Sequence, residues 1–417
     1  MKRGRACVCR RSRRSRGTWV VRFVAIVIAT AHPRVSNAQT AAAPAPFIMQ
    51  SSDGENVIQV GMRAQLDGRY AVNDSAGAFT DTFLIRRFRP NLQGRLLRHF
   101  EFYFNPDFAG GTLVVQDAYV DAVFSTAFRV RFGKFKTPLG LERLTSANSL
   151  VFIERALPTW VLPNRDVGVQ VLGDVADNTV SYMAAVVNGA TDFGSTDLDT
   201  NDDKEIAGRV VVRPLARRRA STLNGLGIGI AGATGAVKEL PVLKTATLFQ
   251  PYFSYATAAT GEGDRVRVTP QAFYYYKSFG ATGEYARSAQ MIRNGAVTAD
   301  IMHRAWEVSA SYVLTGEPVT ERAVRPRHDF DFGGGHLGAI QVAARYHALQ
   351  VDQDAISLGL ATPGSSHKAS AFTAGVNWYL NPFVKYVFNF ERTVFDGDPH
   401  GPRPPEHALA FEAQLSF

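Results

Sequence analysis

The chain has 417 residues, of which 46% are hydrophobic and 20% charged, and its formal net charge at pH 7 is +9. The excess positive charge lies in residues 1–38, which contain ten Lys or Arg and no acid, so 36 basic and 37 acidic residues remain. This balance argues against a nucleic-acid partner. Both cysteines, Cys7 and Cys9, also lie in residues 1–38, which excludes a disulfide, a thiol nucleophile or a Cys-ligated metal from the remainder.

Residues 1–38 have the three parts of a secretory signal peptide. A basic start precedes an apolar run over 23–31 and the small-residue site Ser36-Asn37-Ala38. A transmembrane anchor is the alternative, but the apolar run is interrupted by Arg22 and is shorter than the ~20 residues of a spanning helix. We expect cleavage after Ala38. A lead over 39–56 follows, and its first residues, 39–46, are expected to have no structure of their own. One domain is predicted over 57–417.

After the lead, segments of about ten residues alternate polar with apolar side chains, as β-strands do. In the first, Ile58, Val60 and Met62 share one face, and Arg63 and Gln65 lie on the other. A soluble sandwich would bury the apolar face, whereas a membrane barrel would turn it to lipid and line water with the polar face. The period alone does not distinguish the two, and no apolar stretch approaches the length of a membrane helix.

The alternation recurs along the chain to its last residue. A tight hairpin is predicted near Asn381-Pro382, and Phe417 ends a strand whose other apolar members include Leu409 and Phe411. A terminal aromatic residue resembles the signal that the barrel-assembly machinery recognises. The exact strand boundaries between 215 and 265 are left open, although a Gly-rich strand is predicted near 226–235. Further strands are predicted near 82–95, 100–108, 118–124, 128–133, 167–175, 179–189, 204–213, 226–235, 265–277, 281–291, 303–316, 338–349, 371–380, 384–395 and 407–417.

These segments predict an all-β protein, a closed antiparallel transmembrane β-barrel of about 16 strands, with short connections alternating with long ones. An even number of strands places both termini on the periplasmic side of the bacterial outer membrane. Closure is obligatory in lipid because unpaired backbone groups have no water to bond.

One connection, 137–165, is too long for a hairpin turn. It contains three prolines and is too rich in Leu, Phe, Trp and Val to be a solvated linker. A barrel of this size leaves an aqueous lumen, so we expect the loop to fold inward as a constriction.

The loop and its flanks, GKFKTPLGLERLTSANSLVFIERALP and PNRDVGVQ, resemble the constriction-loop region of the phosphate-selective porin O and P family. The segments LIRRFRPNLQGRL, FGATGEYARS, SYVLTGE, VAARYHAL and NWYLNPFVKYVFNFERT extend the resemblance over most of 57–417. It implies a homotrimeric sixteen-stranded porin that favours anions, with phosphate and polyphosphate as the best known solutes.

The resemblance also matches Arg86 and Arg87 to the double arginine of the second strand. Alternation places Arg87 in the lumen but puts Arg86 on the face of Phe88 and Leu92, unless a β-bulge changes its direction. Only eight lysines follow residue 38, and none form a cluster like the family's phosphate-binding lysines. This departure weakens the prediction of phosphate more than that of an anion.

The predicted function is passive diffusion of small anions, such as inorganic phosphate or polyphosphate, through an Arg-lined pore. Alternation also assigns Arg95, Arg213, Arg265 and Arg267 to the lumen. The alternative for each basic residue is pairing with a wall acid, which would stiffen the barrel and leave little selectivity. The predicted anion path comprises Arg63, Arg69, Arg86, Arg87, Arg89, Arg129, Arg131, Lys136, Arg143, Arg155, Arg165, Arg209 and Arg345.

No HExxH or GxSxG pattern is present, so we expect no catalytic residue, no metal, no cofactor and no enzymatic activity. The expected partners are outer-membrane lipid, small anions, two further copies of the chain and, through Phe417, the barrel-assembly machinery. The alternatives are a general porin without phosphate specificity, an exported β-barrel hydrolase, a structural outer-membrane protein and a soluble exported sandwich.

Overall fold

The computed structural model of the chain describes residues 47–72, 79–199, 201–218, 220–397 and 403–417. The predicted signal peptide and residues 39–46 lie outside these ranges, so its cleavage after Ala38 stays a prediction. Within the described ranges, no helix combines the length and the apolar character needed to cross a membrane.

The described residues form β-strands joined by turns and loops with only short helical segments. The helices are α1 (Leu141–Leu144) and α2 (Gln353–Ser357), and single 3-10 turns cover Ala109–Gly111, Ala147–Ser149 and Leu157–Val161. The strands are β1 (Phe47–Gln50), β2 (Val57–Ala71), β3 (Thr82–Leu96), β4 (Phe100–Asp107), β5 (Val114–Ser125), β6 (Phe128–Lys136), β7 (Arg165–Val175), β8 (Val180–Val187), β9 (Glu205–Val212), β10 (Leu226–Ala236), β11 (Leu243–Lys244), β12 (Pro251–Phe253), β13 (Thr260–Tyr276), β14 (Phe279–Asn294), β15 (Val297–Val313), β16 (Ala339–Gln350), β17 (Lys368–Tyr379), β18 (Val384–Asp396) and β19 (Glu406–Ser416).

Sixteen strands, β2–β10 and β13–β19, form one closed antiparallel sheet in which each strand pairs with its neighbours along the chain. The ring closes where β19 pairs with β2, with Leu415 opposite Ala64 and Leu409 opposite Tyr70. The predicted sixteen-stranded barrel is therefore confirmed. Closure leaves no open edge among these strands, which would otherwise invite pairing with other chains.

The two faces of the barrel wall differ in polarity in the sense expected for a lipid-facing exterior. On β18, Phe388 and Phe390 are 48% and 39% exposed, whereas Asn389 and Glu391 between and after them are 5% and 1% exposed. A soluble sandwich would bury the phenylalanines. The exposed apolar face and the enclosed polar face favour the membrane-barrel alternative that the period left open.

The end of the barrel that holds the chain termini contains a strand that the sequence did not predict. β1 lies in the predicted lead 39–56 and pairs with β2, with Phe47 opposite Val60. The carboxyl-terminal strand stops at Met62, where the Phe417 amide donates to the Met62 carbonyl at 3.1 Å. The edge of β2 before Met62 would be unpaired without β1. Residues 47–50 therefore belong to the sheet, and the predicted boundary at 57 is corrected.

The connection between β6 and β7 spans 137–164 and crosses the inside of the barrel. Its backbone binds three inward side chains of the opposite wall. The Ile153 amide donates to Asn389 at 2.8 Å, and the Lys385 ammonium donates to the Leu150 carbonyl at 2.8 Å. Asn377 likewise donates to the Val151 carbonyl at 2.8 Å. The predicted inward fold of this loop, here called the constriction loop, is thus present, and it ends one residue before the predicted 165.

The alternation of short and long connections is less regular than predicted. At the end that holds the termini, 314–338 forms a long connection, whereas β14 and β15 at the other end are joined by only two residues. The Val319 amide donates to the Lys277 carbonyl at 2.7 Å, and the Ala323 amide donates to Ser149 of the constriction loop at 3.1 Å. A second segment therefore reaches the constriction loop from the terminal end.

Candidate pore constriction

A cavity of about 470 Å³ lies between the constriction loop and the wall formed by β2–β8. Nine basic and three acidic side chains line it, so its charge is strongly positive although the chain after residue 38 is almost neutral. The acids are Asp107, Asp117 and Glu154. The bases are Arg63, Arg86, Arg87, Arg89, Arg131, Lys136, Arg143, Arg155 and Arg165.

All nine of these bases belong to the predicted anion path, and four other predicted residues lie outside the cavity. Arg69 forms ion pairs with Asp67 at 2.7 Å and Glu154 at 2.5 Å. Arg345 pairs with Glu142 at 3.1 Å, and its guanidinium lies over the ring of Phe152. Both arginines hold the constriction loop against the wall.

The other two, Arg129 and Arg209, lie on the inner wall away from the cavity. Arg129 pairs with Glu101 at 3.1 Å, and Arg209 donates to Gln271 at 2.9 Å. Two further arginines assigned to the lumen by alternation, Arg265 and Arg267, are buried near Asp192. Arg95 donates to the Gly54 carbonyl at 3.2 Å, and Arg213 pairs with Glu321 at 2.9 Å. None of these six residues lines the cavity.

Glu154 is an acid that sequence reasoning missed, and it connects the constriction loop to the first two barrel strands. Its carboxylate accepts from Arg69, from Arg86 at 3.2 Å and from Arg87 at 3.4 Å. Burial alone would raise the pKa of Glu154, but Arg86, Arg87 and Arg69 together lower it to well below the usual range for a carboxyl group.

The β-bulge that would bring Arg86 inward is present. Gln65 of β2 lies opposite Arg87, and the next residue, Leu66, lies opposite Ile85, so Arg86 has no partner in the register. A bulge of this kind changes the direction of the extra side chain. Adjacent arginines therefore reach the same carboxylate, which strict alternation does not allow.

Several cavity arginines are neutralised by wall acids, as the pairing alternative predicted. Three of these arginines each have a carboxylate partner at 2.7–2.9 Å, so the net charge of each ion pair is close to zero. The pairs are Arg89 with Asp107, Arg131 with Asp121, and Arg165 with Asp117.

Four cavity cations have no described carboxylate within ion-pair distance. Two of them are Lys136, the last residue of β6, and Arg155, within the constriction loop. The Lys136 ammonium donates to the carbonyls of Leu144 and Thr145 at 3.1 and 3.0 Å. Arg155 donates to the carbonyls of Glu142 and Thr145 at 2.9 and 2.7 Å. Burial, followed by repulsion from Arg87 and Arg143, lowers the pKa of Arg155 well below its ordinary value.

The other two are Arg63 and Arg143. Arg63 of β2 donates to Ser146 at 3.3 Å and to Asn148. Arg143 donates to the Thr159 carbonyl. Burial, followed by repulsion from Arg165, lowers the pKa of Arg143 to about 10. Neutral partners orient all four cations without cancelling their charge, so a solute anion entering the cavity would supply the missing opposite charge.

The family model for phosphate-selective porin O and P matches residues 58–393. The chain belongs to this family. Porin O of Pseudomonas aeruginosa is 25% identical over 382 residues, which cover 80% of this chain and 82% of that protein. Membership of this family and the closed barrel place the porin in the bacterial outer membrane.

Solved structures share the fold of this porin at low sequence identity. The anion-selective porin from Comamonas acidovorans has a TM-score of 0.57 at 12% identity and covers 87% of this chain and 100% of its own. The outer membrane channel DcaP of Acinetobacter baumannii also has a TM-score of 0.57, at 10% identity, covering 88% and 99%. OmpT of Vibrio cholerae in its trimer form has a TM-score of 0.53 at 10% identity, covering 87% and 99%.

An aromatic cluster forms another part of the cavity lining of this porin, and sequence reasoning missed it. Trp160 lies in the constriction loop, Phe193 in the loop after β8 and Phe249 in the turn between β11 and β12. The rings of Trp160 and Phe193 stack with their centroids 3.6 Å apart, and Phe249 lies 5.9 Å from Trp160 edge to face. The three residues come from separate loops, so no local pattern in the sequence indicates that they meet.

Among the described residues, no group of three or more His, Cys, Asp or Glu is arranged to hold a metal ion. The buried His347 instead lies 3.4 Å from Glu391 on the inner wall, and its ring nitrogen accepts from the Leu157 amide at 3.2 Å. This histidine supports the constriction loop.

Proposed function

We propose that this porin is a passive channel for small anions and that its selectivity arises at the cavity beside the constriction loop. One observation carries the proposal: Arg63, Lys136, Arg143 and Arg155 line the cavity and have no described carboxylate partner. Paired arginines contribute little net field, whereas unpaired cations in a narrow aqueous path attract anions and repel cations.

The proposed transport step needs no cofactor and no covalent chemistry. The solute gradient drives net movement. Bonds from neutral carbonyl, hydroxyl and amide oxygens fix the positions of the cations beforehand, and a passing anion exchanges part of its hydration for guanidinium and ammonium donors. A multi-site path of this kind keeps each contact weak enough for release.

Phosphate is a finer proposal within the same function. Family membership favours phosphate or polyphosphate, and planar guanidinium groups suit phosphate oxygens. Only one of the four unpaired cations is a lysine, so the proposed phosphate site here consists mainly of arginine. A general anion pore is the second candidate, which the shortage of lysine favours.

Processing and assembly complete the proposal. We propose export by a signal peptide over 1–38, recognition by the barrel-assembly machinery through Phe417, and a homotrimer. Family membership supports the trimer, and OmpT of Vibrio cholerae, which shares the fold, has a solved trimer form.

Reversal potentials in planar bilayers test the proposal. In a KCl gradient, purified porin is expected to give a zero-current potential whose sign shows that chloride passes more readily than potassium. Added phosphate is then expected to block chloride current with saturation if the cavity binds phosphate. A cation-selective or non-selective potential would refute the anion channel, and unsaturable inhibition would refute only the phosphate site.

A further inference from the structure

The aromatic part of the cavity has an unusual backbone that ordinary loop packing does not require. Phe193 and Phe249 have φ angles of +62° and +56°, in the left-handed region that bulky side chains rarely adopt. The six other described non-glycine residues with positive φ all lie in turns of two to four residues between strands. They are Leu97, Arg98, Ala176, Asp177, Asn178 and Lys277.

Strained backbone persists only where surrounding structure imposes it, and it is concentrated at binding sites. Phe193 and Phe249 are partly buried, and both line the cavity. A loop that needed only an apolar anchor could place it with ordinary φ. The strained backbone therefore indicates that these two rings must lie where they do for the cavity to work.

The rings lie beside cations of the anion path. The Arg143 guanidinium is 5.0 Å from the centre of the Phe193 ring, and the guanidinium of Arg86 is 5.4 Å from the centre of Phe249. Arg143 has no described carboxylate partner, whereas Arg86 is neutralised by Glu154. The cavity thus offers an unpaired cation next to apolar ring surface.

The cavity lining contains further apolar side chains besides the aromatic cluster. Leu144, Ala147, Met183 and Ala246 also line the cavity. Inorganic phosphate or chloride gains nothing from apolar surface, because both ions are hydrated on every side. An organic anion with a flat apolar body gains burial of the body and pairing of its charge at the same time. The volume of about 470 Å³ is in the range of pockets that hold small organic ligands.

We infer that the cavity contains a subsite for aromatic carboxylates, whose ring packs against Phe193 and Phe249 and whose carboxylate pairs with Arg143. This inference rests on the proposed anion channel and specifies a class of solute for it. Arg155 supplies a second unpaired cation in the same cavity, so the carboxylate has a further partner as it moves through.

Block of chloride current in the unmodified porin tests the inference without any variant. Benzoate and acetate carry the same charge, and only benzoate has a ring. We expect half-block by benzoate at a concentration roughly three- to tenfold lower than by acetate, the range for an added aromatic contact. Cyclohexanecarboxylate, apolar but not flat, is expected to fall between them. Equal half-block by benzoate and acetate would overturn the inference.

Two variants locate the subsite. Phe193→Leu and Phe249→Leu keep an apolar side chain but remove the ring, and each is expected to bring benzoate half-block towards the acetate value. The acetate value itself should not change. Equal changes for both anions would show that the rings act only on the shape of the pore, and would also overturn the inference.

Phe330→Leu is the matched control. Phe330 lies in the segment 314–338 and packs edge to face against Trp378, with the ring centroids 5.2 Å apart, and it does not line the cavity. Benzoate half-block is expected to remain as in the unmodified porin. A failure of the proposed function would appear separately, as a reversal potential without anion preference, before any organic anion is added.

Discussion

At the scale of single residues, Glu154 determines how firmly the constriction loop is held. It is the carboxylate that Arg69, Arg86 and Arg87 share, and its side chain is 4% exposed. Removing one partner of a buried ion pair leaves uncompensated charge and typically costs ~3–5 kcal/mol. The loop therefore depends on a residue that the sequence pattern did not identify.

Glu154→Gln is expected to lower the thermal unfolding temperature of the barrel and to increase the variation of single-channel conductance as the loop loosens. Circular dichroism and planar-bilayer recordings measure the two effects. Glu101→Gln is the control, because that side chain and its partner Arg129 are 43% and 31% exposed. An exposed pair contributes ~0–1 kcal/mol. Equal effects of the two variants would contradict the role given to Glu154.

The pH dependence of the Glu154 contribution follows from the direction of its pKa. The pKa of this carboxyl group is lower in the folded porin than in the unfolded chain. Its stabilisation is therefore complete above the unfolded pKa of ~4.3 and is lost as pH falls towards the folded value. The difference in unfolding temperature between the unmodified porin and Glu154→Gln should stay constant from pH 8 to 5. It should decrease only in stronger acid. A difference that vanished between pH 7 and 5 would contradict this account.

Alternation predicted the direction of most barrel residues correctly but could not predict that of Arg86. Arg63 and Gln65 point inward as expected because the period of a strand is exactly two. Arg86 points inward because a bulge adds one residue to β3, and nothing in the local sequence requires it. The ion pair between Glu154 and Arg87 could not be predicted from the sequence either, because the two residues are 67 positions apart.

At the scale of elements, two segments narrow the lumen, and the sequence predicted only one. The constriction loop was recognisable by its length and composition. The segment 314–338 was not recognisable, because the connections at the end that holds the chain termini were expected to be short turns. Its residues Val319 and Val324 pack with Tyr379 of β17, which closes part of the barrel end.

Deletion of 141–158 is expected to raise single-channel conductance, because the loop that crosses the lumen is lost. Deletion of 319–324 is expected to raise it by a smaller amount, since this segment contacts the constriction loop only from one side. Deletion of an equal length from 328–333, where Phe332 is 90% exposed, should leave conductance unchanged. Unchanged conductance in the first variant, in a barrel that still inserts, would place the loop outside the conducting path.

At the scale of the whole molecule, the two ends of the described chain meet at the closure of the barrel. The rings of Phe47 and Phe417 lie 5.7 Å apart, and Phe417 pairs with Met62 through the backbone. The closed barrel was predictable from period and strand number. The role of β1 was not, because four residues are too few to show a period.

Removal of Phe417 is expected to reduce insertion, because it deletes the terminal aromatic residue, its ring contact and its backbone pairing with Met62. The fraction of heat-modifiable porin in outer-membrane preparations measures insertion. Phe332→Asp changes an exposed aromatic residue outside the strands and should have no effect. Insertion of the truncated chain at the level of the unmodified porin would contradict the proposed recognition of the last strand.

The most direct test asks which charged residues set the anion selectivity of the pore. Lys136→Gln with Arg155→Gln removes two unpaired cations from the cavity. Arg129→Gln with Arg209→Gln removes the same charge from inner-wall positions outside it. Charges at a narrow constriction are screened least, so their removal should have the larger effect. The measurement is the zero-current potential in a KCl gradient. We predict that the first double variant shifts the potential strongly towards zero and that the second shifts it little. Equal shifts, or a larger shift in the second variant, would contradict the claim that unpaired cations beside the constriction loop make the pore anion-selective.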